Sequence, residues 1–124
     1  MILLVDDDPL QAFVRKSALE KIFPNVRRVS GAEALCLIEQ SQFVAQLSLV
    51  ISGTHMPGLS EEEFITELCS RLPKMPVLML TDKPDITNPY STGLIHRAPL
   101  PISTHELLRL SQQIIDLHNI PNVS

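Results

Sequence analysis

The sequence predicts an α/β chain with an open, doubly wound, five-stranded parallel sheet. Three observations carry that expectation. Short apolar runs alternate with longer segments whose apolar residues recur at three- and four-residue intervals, the pattern of strands joined by crossover helices. Several helical segments open on a capping residue followed three positions later by Glu or Gln, a pair that satisfies two orphan backbone donors reciprocally. The 44% apolar fraction includes only four Phe and one Tyr, so the core is built from Leu, Ile and Val, which suits strands buried on both faces. At 124 residues the chain has the length of one domain.

The elements follow in order along the chain. Ile2 to Val5 is the first strand, ended at once by Asp6, Asp7 and Asp8. Asp8 with Gln11 starts the first helix, and Pro9 takes the first helical position, where its missing N–H costs nothing. Leu10, Phe13, Val14 and Ile22 form the stripe expected to face the core. Asn25 to Val29 is a shorter, more polar strand that belongs near an edge. Ser30 with Glu33 starts the second helix, and Leu47 to Ile51 is the third strand. Ser60 with Glu63 opens a helix with the stripe Phe64, Ile65, Leu68 and Leu72. Val77 to Leu80 is the fourth strand, and Leu94 to Arg97 the fifth, assigned mainly because a helix follows it. That last helix starts at Ser103 with Glu106 and carries the stripe Leu107, Leu110, Ile114 and Leu117. Residues 1–118 form the expected domain, and 119–124, with Pro121 stopping the helix, read as a tail or the start of a linker.

Composition narrows the function. Net charge is −4 and no basic run exceeds Arg27-Arg28, so the electrostatic footprint of a nucleic-acid binder is missing. No apolar run approaches the roughly 20 residues of a membrane helix, and the acidic triplet after Val5 is wrong for a signal peptide. A soluble, cytoplasmic chain is expected. Cys36 and Cys69 lack metal-ligand spacing and read as reduced thiols in or near the core. His96, His105 and His118 likewise lack ligand spacing and read as a turn residue and two helix-surface residues.

In a doubly wound sheet the ligand crevice lies beyond the carboxyl ends of the central strands. That places Asp6, Asp7 and Asp8, the segment from Ser52 to Gly58, and Thr81 along one edge. The run Ile2-Leu3-Leu4-Val5-Asp6-Asp7-Asp8-Pro9, then Met56-Pro57-Gly58, then Thr81, then Pro99-Leu100 together resemble a response-regulator receiver domain over nearly the whole chain. The resemblance implies the flavodoxin-like strand order 2-1-3-4-5. It also implies that Asp6 and Asp7 would help hold magnesium, and that a nucleophilic aspartate should stand three residues before Met56.

That position is Gly53, which has no atom with which to attack phosphorus or bind metal. The lysine that the family places just before the proline of the fifth-strand turn falls on Ala98. The two losses fit together, because an acceptor carboxylate and its lysine are charge partners and losing one alone would leave a partly buried charge unpaired. The switch aromatic falls on Ile95. The stretch between Thr81 and Ala98 is short and carries Pro84, Pro89 and Gly93, so the helix between strands four and five is expected to be shortened or absent.

The expectation is an atypical receiver domain of two-component phosphorelay signalling that binds a protein partner, or a second copy, without phosphorylation. The binding face would comprise strands four and five and the last helix, with Ile95, Arg97 and Leu100. Asp6, Asp7 and Thr81 are the remnant of the acidic pocket. Divalent-metal binding through Asp7 and Asp6, with a His55 carbonyl and waters, is expected to be weak or absent. Ser52 and His55 are expected to serve surface or packing roles rather than to substitute as acceptors. One rival is a metal-assisted hydrolase reusing Asp7 and His55 with Lys83 or Arg97. Another is the regulatory portion of a longer DNA-binding regulator.

Overall fold

A computed structural model of the chain describes residues 1–53, 56–81 and 94–118. Five parallel strands form one sheet in the order β2-β1-β3-β4-β5, as the resemblance implied. They are β1 (Ile2–Val5), β2 (Val26–Val29), β3 (Leu49–Gly53), β4 (Val77–Thr81) and β5 (Ile95–Pro99). The helices are α1 (Pro9–Leu19), α2 (Gly31–Leu37), the single turn α3 (Ser41–Val44), α4 (Glu61–Arg71) and α5 (Thr104–His118).

Strand alternation sorts the core into two apolar layers. Leu3, Val5, Val50, Val77 and Met79 face α2, α3 and α4, packing against Ala34, Phe43, Phe64, Ile65 and Leu68. Ile2, Leu4, Leu49, Ile51, Leu78 and Leu80 face α1 and α5, packing against Leu19, Leu107 and Ile114. Central strands buried on both faces explain the unbroken Leu-Ile-Val runs, and each fully buried large side chain contributes about 2 kcal/mol. The polar β2 is indeed an edge strand, with Arg27 and Arg28 exposed between buried Val26 and Val29.

All four caps form. Asp8 accepts from the Leu10 and Gln11 N–H groups, and Ser60 and Ser103 accept from Glu63 and Glu106. Only Ser30 with Glu33 closes the reciprocal capping box. Gly31 is required by packing, because a Cβ there would stand 2.9 Å from Met56 Sδ. Gly58, at φ +77°, makes the turn after Met56-Pro57, a conformation side chains rarely adopt.

The structure corrects three expectations. The α1 stripe Leu10, Phe13, Val14 faces solvent at 71%, 70% and 43% exposure, and Ile22 beyond the helix is half exposed. The face turned to the sheet carries Ala12, Arg15, Ala18 and Leu19 instead. Leu117 is also exposed, at the end of the otherwise buried α5 stripe. The third strand runs two residues later than its apolar run, because the Leu47 N–H donates to Val44 O and closes the α3 turn. The α3 turn itself has no side-chain cap to announce it. The stretch between β4 and β5, where the helix was expected to be shortened or absent and which carries Pro84, Pro89 and Gly93, lies outside the described residues.

Candidate functional site

The pairing register assembles the crevice. Val5 stands opposite Ser52, so the next residue on each strand brings Asp6 beside Gly53, and Gly53 pairs in turn with Leu80 and Leu80 with Ala98. The positions assigned to acidic pair, acceptor and lysine therefore share one row at the strand ends. On β3 that row is bare: an added Cβ at Gly53 would meet nothing within 4 Å. Space for a carboxylate exists and no carboxylate fills it.

Asp6 is 7% exposed and fully engaged within the chain. Its Oδ1 accepts from the Asp8 N–H at 3.0 Å, and its Oδ2 accepts from Arg15 Nη1 at 2.8 Å. Its backbone carbonyl accepts from Arg28 Nε at 3.0 Å. Asp7 is half-buried, and its Oδ2 is buried without a hydrogen-bond partner among the described residues. Asp8 is exposed and spent on capping α1.

The divalent-metal set implied by the resemblance does not fit these residues. One carboxylate is replaced by Gly53, a second is held by a guanidinium, and only the unpartnered oxygen of Asp7 remains. Magnesium demands near-ideal octahedral oxygen geometry, and a single free carboxylate beside a resident cation does not supply it. No group of three or more His, Cys, Asp or Glu suited to a metal occurs among the described residues.

No ammonium reaches the row from β5. Ala98 is 2% exposed within the α1/α5 layer. Leu100 lies two residues further toward the mouth, and its N–H donates to Thr81 O at 3.1 Å. Both positions are apolar, so moving the lysine assignment from one to the other leaves the site without a cation. Thr81 is buried at the end of β4. Ser52 is fully buried, with its Oγ donating to Gly53 O at 2.8 Å, so it packs rather than accepts. His55 lies outside the described residues, as does Lys83.

Ile95, Arg97 and Leu100, assigned to a binding face, are each partly exposed and also make contacts within the fold. Ile95 packs against the α2/α4 layer and Leu100 against the α1/α5 layer. Arg97 Nη1 pairs with Glu61 Oε1 at 2.6 Å, with the side chains 11% and 23% exposed, which ties β5 to the start of α4. The other terminal nitrogen, Nη2, is buried without a hydrogen-bond partner among the described residues. Of the grooves found among the described residues, one of about 580 Å³ lies between α2 and α4, and neither Asp6, Asp7, Gly53 nor Thr81 lines it.

His96 and Cys36 depart from their expected places. His96 sits in β5 rather than in a turn, and its Nε2 lies 3.1 Å from His118 Nε2 at the end of α5. The rings are edge to face, with centroids 5.3 Å apart. Burial first, and then the charge of His118, lowers the His96 pKa. His105 is exposed, as expected. Cys36 is exposed rather than near the core, and burial pushes the half-buried Cys69 thiol up.

No protein-family model matches the chain, and no curated protein matches it significantly. Solved structures do. The signal receiver domain of an HD-domain-containing protein from Pseudomonas fluorescens superposes with TM-score 0.79 at 23% identity, covering 95% of both chains. The apo receiver domain of nitrogen regulatory protein C gives 0.78 at 22% identity, with 96% of each chain covered. A chemotaxis response regulator of Vibrio cholerae gives 0.72 at 24% identity, over 91% of this chain and 96% of the other. Strand order, crossover helices and near-complete mutual coverage lead to one conclusion: the chain has the fold of a response-regulator receiver domain.

Proposed function

We propose that this chain is a signalling module of the two-component type that works by binding a protein partner and does not accept a phosphoryl group. The observation that carries the reading is the row at the strand ends, where the receiver fold is kept but β3 offers only the bare backbone of Gly53. Phosphoryl transfer to a side chain needs a nucleophilic heavy atom and cationic stabilisation of the developing charge. Gly53 lacks the first, and Ala98 and Leu100 lack the second.

A binding role also draws support from the exposed side chains Leu10, Phe13 and Val14. They sit at i, i+3 and i+4 on one face of α1, the spacing of an apolar stripe that a partner covers. The reading shifts the expected contact surface from the face of Ile95, Arg97 and Leu100 to α1, since those three residues are only partly exposed and also make contacts within the fold.

Acetyl phosphate with magnesium, followed by intact-mass analysis under neutral conditions, tests the proposal. An unchanged mass is expected. A phosphoryl adduct on any residue of the crevice would overturn the reading.

A further inference from the structure

We infer that Arg15 is a resident cation, a guanidinium that stands in for a divalent metal at Asp6 and holds the acidic crevice in one charge-compensated state. The inference rests on the non-phosphorylated reading above and deepens it.

The observations concern where Arg15 comes from as much as what it touches. Its Cα lies on the sheet-facing stripe of α1, three residues after buried Ala12 and four before buried Leu19. That is a position where an amphipathic helix ordinarily carries an apolar residue. Ala12 and Ala18, three residues to either side of it, are small and buried, and the arginine side chain is itself only 13% exposed with its guanidinium on Asp6. A guanidinium taken this far from water is retained only against a paired, hydrogen-bonded counter-charge. Asp6, 8% exposed in its side chain, supplies it at 2.8 Å.

With the Asp8 N–H on Oδ1, Arg15 on Oδ2 and Arg28 on the carbonyl, every oxygen of Asp6 already carries a donor, and one of the two carboxylate oxygens carries a cation. A metal would have to displace a group tethered by α1 itself. That tether gives the arginine a high effective concentration, which a weak ion with one remaining carboxylate does not overcome. The crevice is therefore insensitive to magnesium.

The test compares the wild type with Arg15→Met, which keeps an apolar stem of similar reach, and with Arg15→Lys. Thermal unfolding is followed in magnesium, manganese or calcium chloride against sodium chloride of equal ionic strength. Manganese-induced broadening of the amide signals of Asp6, Asp7 and Asp8 is read in parallel. The wild type is expected to show no divalent-specific shift and no localised broadening. Arg15→Met should melt lower than wild type in sodium chloride and recover in divalent salt, with broadening confined to these three aspartates. Arg15→Lys should stay insensitive to the metals.

Equal responses of wild type and Arg15→Met to the divalent salts would overturn the inference. If Arg15→Met is unfolded alone, refolding on adding manganese supports the inference, and failure to refold in any of the three metals overturns it. Neither failure touches the phosphorylation reading, which falls only to a phosphoryl adduct on the wild-type chain.

Discussion

Breaking the Arg15–Asp6 pair from one side leaves a nearly buried charge without its partner, which costs about 3 kcal/mol, the low end for such pairs. Asp6→Asn and Arg15→Met are each expected to lower the unfolding free energy by that order, while the double variant loses less than the two single losses added together. A coupling free energy of about 1–3 kcal/mol in this double-mutant cycle is the expected result. The same residue explains the largest misreading of the sequence. Two stripes can be drawn on α1, one through Leu10, Phe13 and Val14 and one through Ala12, Arg15 and Leu19. Hydrophobicity favours the first. The charge at Arg15 marks the second as a solvent face until the position of Asp6 is known, and that depends on a strand and a helix meeting in space. Gly53, by contrast, was legible, because its place is fixed by its spacing from Met56 within one short segment.

At the scale of elements, β5 and α5 are joined by the His96 and His118 rings, 3.1 Å apart at Nε2. The groove beside them, of about 330 Å³, holds one further ionisable residue, Arg97, and its guanidinium is committed to Glu61 on α4. On the neighbouring α1, Lys16 pairs with Glu20 and Arg15 with Asp6. The bond between the rings survives one shared proton and is lost when both rings are charged. Because the folded His96 pKa lies below its ordinary value of 6.5, the unfolded chain binds more protons than the folded one around that pH. The stability this site contributes is therefore present above pH 6.5 and falls away as the pH drops below it. Urea midpoints taken from neutral pH down to about 5 should decline more steeply for the wild type than for His96→Gln. Sequence reasoning missed this pair because the two residues share no element or motif. The starts of α1, α2, α4 and α5 were readable because each is fixed by side chains within four residues of the cap. The start of β3 was not, since the α3 turn takes up Leu47.

For the whole molecule, the exposed apolar side chains on α1 form the clearest surface for a partner, and they separate binding from folding. Phe13→Glu removes a 70% exposed ring and nothing from either core layer, so its free energy of unfolding in urea should stay within about 0.5 kcal/mol of wild type. Cross-linking in a lysate of the native host is expected to lose the complex formed by the wild-type chain, whether with another protein or with a second copy. The two-layer architecture was predictable because β1, β4, α4 and α5 carry apolar runs or stripes that are largely buried as expected, whereas α1, α3 and β5 do not announce theirs. The exposure of the α1 face was not readable from the chain's own pattern, because the same apolar spacing fits a face turned to the core.

The strand order has a bearing on how the chain is made. β1 lies in the interior between β2 and β3, while β4 and β5 join in succession on one side. By the time β3 has left the ribosome, the three strands of one half can pair with each other, and every later strand finds its neighbour already in place. The strand order thus allows assembly to follow synthesis, with β5 adding last at the edge of the sheet.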